Sequence, residues 1–115
     1  MLRAVVIDDE ADLRLLARYM LEDEGAVEVI GEACNASDAL HLIRELLPDI
    51  AIIDIHLPDM SGVELIQLLR LTAMTTRLVA YSSDDLALED ALRAGADRAV
   101  LKSGRSDELL AALVA

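Results

Sequence analysis

Four short apolar runs in this chain stop at residues that can do chemistry. Ala4 to Ile7 runs into Asp8, Asp9 and Glu10, and Ile50 to Ile53 stops abruptly at Asp54. Leu78 to Tyr81 stops at Ser82, and Arg98 to Leu101 at Lys102. Brought together, Asp8, Asp9 and Asp54 repel one another, and the arrangement makes sense if a hard cation offsets them. Mg²⁺ suits such a set, because it takes oxygen ligands, often one or two carboxylates with waters. A lysine beside them supplies a point charge for phosphate, and a hydroxyl supplies a hydrogen bond. Carboxylate nucleophile, Mg²⁺, lysine and hydroxyl together describe phosphoryl transfer, where catalysis is mostly positioning and charge neutralisation. The product would be an aspartyl phosphate on Asp54.

The elements that must position these groups follow from periodicity. Ile50 to Ile53 is too short for a helix and has no polar alternation, so it reads as a strand buried on both faces of a parallel sheet. Ala4 to Ile7 has the same character, and Val27, Val29 and Ile30 place another strand in Ala26 to Gly31. Leu78 to Tyr81 and Arg98 to Leu101 complete a set of five. Between and after them lie helical stripes. Leu13, Leu16, Ala17, Met20 and Leu21 share a face within Ala11 to Glu24, with Gly25 as a stop. Ala39, Leu40, Ile43 and Leu47 do so within Ser37 to Leu47, which Pro48 ends. Val63, Ile66, Leu69 and Arg70 mark a helix over Val63 to Leu71, and the polar stretch Thr72 to Thr76 closes it. Leu86 to Ala94 gives a short fourth helix with Gly95 at its C-cap. Ser106 is placed as N-cap of a fifth, holding Leu109, Leu110, Leu113 and Val114, with Asp107 and Glu108 suited to its first turn. Five βα units in succession imply an α/β fold, a parallel sheet with helices on both faces. Parallel strands put their carboxyl ends on one edge, so Asp8, Asp9, Asp54, Ser82 and Lys102 converge there, the edge where open α/β sheets bind ligands.

Composition excludes other classes. One hundred and fifteen residues, 55% hydrophobic, suffice for one domain with a real core and not for two. No apolar run approaches the ~20 residues of a membrane span, and no signal-peptide pattern precedes the first strand, so a soluble cytoplasmic chain is expected. The formal net charge of −12 argues against nucleic-acid binding by this domain, since phosphate contacts need clustered Lys and Arg. Two Tyr, no Trp and no Phe leave no base-stacking platform. Cys34, the single cysteine, excludes an internal disulfide and reads as a small half-buried side chain.

The segments VVIDDE, IIDIHLPDMSG and ALRAGADRAVLK resemble, in order, signature segments of the receiver domain of two-component response regulators, and the resemblance covers essentially the whole chain. It implies a CheY-like, flavodoxin-like fold with strand order 2-1-3-4-5. It implies that Asp54 accepts a phosphoryl group from a phosphohistidine on a sensor histidine kinase or histidine phosphotransfer protein in a phosphorelay. Asp8 and Asp9 would then place Mg²⁺, with Asp54 and the backbone carbonyl of His56 completing the protein ligands, while Lys102 and Ser82 contact the phosphate. The implied activity is self-catalysed transfer with slow autodephosphorylation, not enzymatic turnover. The switched face would be the fourth helix, fifth strand and fifth helix, open to a partner or to a homodimer. The chain ends with its fifth helix, so a single receiver domain over residues 1–115, with no output domain, is expected.

Each assignment has a plainer counterpart. Asp8 and Asp9 alone could form a solvated strand-end turn, and Lys102 could be a surface lysine. Its place at the end of an apolar strand, seven residues after Gly95, favours the functional role. The segment from Ser82 to Gly95 is shorter than the family usually has, and strict alignment from Gly95 puts Ala80 in the hydroxyl slot. A deletion in an exposed loop costs little, so Ser82 is preferred, with Ser83 as fallback. The side chain of His56 is expected over the cleft, where with Asp84 it can influence access of hydrolytic water; His41 is expected solvated or half-buried.

Two positions depart from the family pattern. Ala99 stands three residues before the lysine, where similar receivers often carry an aromatic, and Tyr81 should point to the opposite face from Ser82. Ser103 follows Lys102 where many relatives have a proline in a cis bond; a non-proline cis bond would cost ~3 kcal/mol, so a trans bond or unusual local restraint is expected. These departures motivate an alternative reading, a receiver-fold interaction module that does not rely on phosphorylation. A phosphatase of the haloacid dehalogenase type would need an acid where His56 stands, and no G-x-G-x-x-G follows the first strand to suggest a dinucleotide enzyme.

Overall fold

Successive side chains of a strand point to opposite faces, and both sets are apolar in the inner strands of this chain. In the computed structural model, which describes residues 1–23, 25–72, 75–102 and 106–114 (the side chains of 106 and 114 excepted), the elements alternate without exception. They are β1 (Leu2–Ile7), α1 (Ala11–Glu22), β2 (Val27–Ala33), α2 (Ala36–Leu46), β3 (Ile50–Ile53), α3 (Gly62–Leu71), β4 (Arg77–Ser82), α4 (Asp85–Ala94), β5 (Arg98–Leu101) and α5 (Ser106–Val114). The five strands form one parallel sheet in the order β2-β1-β3-β4-β5, as the resemblance implied.

The alternation divides the core in two. Val5 and Ile7 of β1, Ala51 and Ile53 of β3 and Leu78 and Ala80 of β4 pack with Ile43 of α2, Leu65, Ile66 and Leu69 of α3 and Leu88 and Ala91 of α4. Their neighbours Ala4, Val6, Ile50, Ile52, Val79 and Tyr81 face the other way, onto Ala17, Met20 and Leu21 of α1 and Leu109, Ala112 and Leu113 of α5. Burial on both faces is why β3 reads as an unbroken apolar run, and its bounds coincide with those expected.

The sheet starts from an inner strand, β1, with β2 on one side and β3 on the other. Chain direction across the sheet therefore reverses between β1 and β3, and the loops leaving these strands diverge to open a crevice at their carboxyl ends. Asp8 and Asp54 are the first residues beyond these two strands.

Helix ends follow local chemistry. Asn35 caps α2 by accepting from the Asp38 amide at 2.8 Å, and Asp84 caps α4 by accepting from Leu86 and Ala87. Gly95 closes α4 at φ 119, a conformation that favours glycine. Beside it, the Arg70 guanidinium of α3 donates to the Gly95 carbonyl at 2.6 Å and pairs with Asp97, tying the α4–β5 turn to α3. The cap expected at Ser106 and the isomer of the Lys102–Ser103 bond fall outside the described residues and side chains.

Three expectations about burial are corrected. Leu47 is 65% exposed, because it adopts φ 46 as the C-cap of α2 and leaves the helical stripe that ends at Leu46. Leu16 lies at the solvent edge of α1 and is 46% exposed. Cys34 is exposed, since β2 continues to Ala33 and the chain turns outward there toward the Asn35 cap. His41 is exposed on α2. No helix among the described residues is long and apolar enough to cross a membrane.

Candidate functional site

Three of the groups singled out in the sequence are each held by one ladder bond that extends past the strand. The Asp8 amide donates to Ala33 of β2 at 3.1 Å, the Asp54 amide to Ile7 of β1 at 2.9 Å, and the Lys102 amide to Ser82 of β4 at 2.8 Å. The sheet thereby fixes the backbone of four chemically active residues before their side chains make any contact.

Asp8, Asp9 and Asp54 each present a carboxylate oxygen within 4.8 Å of the others. Asp8 and Asp54 are only 4% and 6% exposed, whereas Asp9 faces solvent. Lys102 enters from β5, its Nζ 2.8 Å from Asp8 Oδ2 and 3.4 Å from Asp54 Oδ1. The other Asp8 oxygen accepts from the Glu10 amide at 3.0 Å. Burial raises the pKa of Asp54; Lys102 works against that rise, Asp8 adds to it, and the His56 amide lowers it. Burial alone would push Lys102 down, but its hydrogen bond to Asp8 and the charges of Asp54 and Asp8 outweigh that and leave its pKa raised. Lys102 is thus a fixed ammonium held by the acids around it.

Three carboxylates against one ammonium leave an excess of two negative charges at the crevice. The side-chain donors are all oxygen, with no thiolate or imidazole among them. That set fits a hard divalent cation of the Mg²⁺ kind and offers nothing to select a softer metal.

Ser82 is wholly buried at the end of β4, its hydroxyl accepting from the Asp84 amide at 3.2 Å. It follows Tyr81, which lies on the α1–α5 face as strand alternation requires and stacks under Lys102, the ammonium 5.5 Å from the ring centre. Ala80, the other candidate for the hydroxyl slot, lies on the same side of the sheet as Ser82 but two residues short of the strand end, packed in the core. Ala99 pairs with it across the β4–β5 ladder and packs on the same core. Ser83 is exposed.

A cleft of about 490 Å³ opens over this edge, with Asp9, His56, Pro58 and Ser61 on one side and Ala87 and Asp90 of α4 on the other. The His56 side chain stands over it as expected, exposed, with Nε2 3.6 Å from Asp84 Oδ2.

Two residues beside the site carried no sequence signal of their own. Asp59 reaches from the β3–α3 loop to the first turn of α2, where its two oxygens accept from the Ala36 and Ser37 amides at 2.8 and 3.0 Å. Those two hydrogen bonds hold its carboxyl below the usual carboxylate range. Arg14 of α1 donates to the Asp8 carbonyl at 2.8 Å. The Asp59 bonds span more than twenty residues and the Arg14 bond joins a helix to a strand end, and periodicity encodes neither.

Fold and site together define a class: an open parallel α/β domain carrying an acidic cluster paired with one lysine at its topological switch point. Within that class the chain belongs to the response regulator receiver domain family, whose model matches residues 4–114. It is 38% identical over 89 residues to a response regulatory protein of Vibrio cholerae serotype O1, which covers 77% of this chain and 38% of the relative. It is 32% identical over 111 residues to the nitrate/nitrite response regulator protein NarL of Escherichia coli K12, covering 95% of this chain and 51% of that protein. The chain therefore spans about half or less of these relatives' length. Among solved structures, the response regulator domain of Thermotoga maritima CheB superposes with a TM-score of 0.89 at 27% identity, over 98% of this chain and 93% of the other. A LuxR-family two-component response regulator from Aurantimonas sp. SI85-9A1 gives 0.90 at 29% identity, over 96% and 81%.

Proposed function

We propose that this receiver domain takes a phosphoryl group onto Asp54 from a phosphohistidine of a sensor histidine kinase or a histidine phosphotransfer protein. The observation that carries the reading is the Asp54 carboxylate itself, buried at the switch point yet facing Lys102 at 3.4 Å, with two further acids within 4.8 Å. In the transfer an Asp54 Oδ–P bond forms as the N–P bond of the phosphoimidazole breaks, and the departing imidazole takes its proton from solvent. Lys102 is already placed to pair with phosphoryl oxygens, and a buried, pre-oriented ammonium stabilises charge without reorganising. Asp8 and Asp9, with Asp54 and the His56 carbonyl, would hold Mg²⁺, which when bound supplies neutralisation of the phosphoryl charge. Asp54 accepts one group per event and loses it slowly to water, so the domain is a switch and not a turnover enzyme.

The phosphoryl group on Asp54 would carry up to about two negative charges in place of the single charge of the free carboxylate. Lys102 and the Ser82 hydroxyl close on them, and Ser82 is bonded to the Asp84 amide at the N-terminus of α4. The α4–β5–α5 face then changes its partner or forms a homodimer; Leu86, Leu92 and Leu101 give that face exposed apolar side chains. Incubation with Mg²⁺ and a small acyl phosphate should add the mass of one phosphoryl group to the wild type and none to Asp54→Asn. No gain with a competent donor would sink the phosphoacceptor reading.

A further inference from the structure

The two acids that would hold the cation are consecutive, so the peptide unit between them sets the direction in which Asp9 leaves the strand end. That peptide is gripped from outside the cluster. Its carbonyl, belonging to Asp8, accepts from Arg14 Nη1 at 2.8 Å. Arg14 is held in turn by Glu32 of β2, Nε to Oε1 at 3.2 Å, and is only 20% exposed. Asp8 is thus fixed at every polar atom: its amide by Ala33, its carboxylate by Glu10 and Lys102, its carbonyl by Arg14. Asp9, by contrast, is exposed, and its orientation depends on that shared peptide.

We infer that Arg14 is a positioning residue for the cation site, fixing the Asp8–Asp9 peptide so that both carboxylates reach one ion; this rests on the Mg²⁺ reading above. Partners that orient ligands without touching the metal contribute roughly 10–100-fold in affinity. Charge alone predicts the opposite sign. Arg14 is a cation near a cation site, and removing it on Coulombic grounds should tighten Mg²⁺ binding. Arg18 supplies the control. It shares Glu32, at 3.2 Å, and bonds the Val29 carbonyl, so it staples α1 to β2 without contacting Asp8.

The test is isothermal titration of the metal-free protein with MgCl₂. Arg14→Gln, which keeps a good helix former, should bind about tenfold more weakly, while Arg18→Gln binds like wild type. Arg14→Lys, which keeps one charged donor but loses the fork, should fall between. Unchanged or tighter binding by Arg14→Gln overturns the inference, and so does an equal loss in Arg18→Gln, which would make the effect general stapling of α1. Should Arg14→Gln fail to fold, Glu32→Gln, which frees Arg14 and Arg18 alike, is read against Arg18→Gln; binding weaker than in Arg18→Gln supports the role and equal affinity overturns it. Asp9→Ala separates the two levels, because a variant that binds Mg²⁺ like wild type would remove the cation site itself, whereas loss there with intact binding in Arg14→Gln removes only the role of Arg14.

Discussion

The Lys102 ammonium donates to Asp8 Oδ2 at 2.8 Å across 94 positions of sequence, and the same nitrogen lies 3.4 Å from Asp54. Lysine and a bound cation would therefore compete for the same carboxylates. Lys102→Met should lose about 2 kcal/mol in the metal-free protein, between the values for exposed and fully buried pairs, because it strands adjacent acids. Mg²⁺ should then raise the melting temperature of the variant more than that of the wild type, by ligand linkage. Equal Mg²⁺-induced shifts would show that Lys102 does not compete for the site.

Asp54 carries the opposite burden. Burial raises its pKa, so ionising it costs the folded state free energy. The folded pKa lies above the unfolded value of about 3.9, and a raised acid binds its proton more tightly when folded. The cost is absent at low pH and develops as pH rises through the window between the two values. Asp54→Asn should thus be more stable than wild type to urea at pH 7 without metal, and the gap should close as pH falls toward 4. A gap that widens on acidification would contradict the burial argument.

Much of this was legible in the sequence because the relevant signals are local. A four-residue apolar run broken by Asp54 marks a buried strand and a functional edge at once, and its bounds matched the structure. What escaped is made by contacts between elements. Leu47 has the right spacing for the buried face of α2, but the helix stops at Leu46 and its last turn no longer points inward. Thr76 reads as part of a polar stretch, yet it is buried with its hydroxyl donating to Pro48 across 28 positions. Arg70, read as part of a helical stripe, proves to be the clamp on the α4–β5 turn. Spacing reports which face a residue occupies, not which distant carbonyl it will meet.

Gly62 connects packing to the site. A Cβ built there would fall against the carbonyl oxygen of Asp54 and 2.7 Å from Ile55 Cα, and backbone cannot swing aside as a side-chain tip can. Gly62→Ala should destabilise by about 3 kcal/mol, at the upper end for overpacking, and should slow acyl phosphate labelling by displacing Asp54. A stable variant labelled at the wild-type rate would show that the β3–α3 loop yields freely.

Asp59 holds that loop to α2 through the Ala36 and Ser37 amides, and its folded pKa is depressed by them. The sign is the usual one for a capping carboxylate: stability is present above the unfolded pKa, about 3.9, and is lost as pH falls through the lower folded value. Wild type should exceed Asp59→Ala in urea midpoint at neutral pH, and the two should converge in acid. A difference that persists at low pH would assign the effect to packing, not to the ionised cap.

The last prediction concerns the route from site to surface, where Ala99 removes the aromatic reporter that similar receivers often carry. Ser82 offers a different connection. Its buried hydroxyl accepts from the Asp84 amide, and the Asp84 carboxylate accepts from Leu86 and Ala87 at the start of α4. Drawing the hydroxyl toward a phosphoryl group on Asp54 would break the first bond and loosen the second pair, since a cap holds only while its own backbone is fixed. Amide hydrogen exchange at Asp84, Leu86 and Ala87 should accelerate on phosphorylation. In Ser82→Ala these amides should already exchange faster in the unphosphorylated state and respond little to the donor. Unchanged exchange on full labelling of the wild type would exclude this route, leaving α4 to be moved from the His56–Asp84 contact across the cleft.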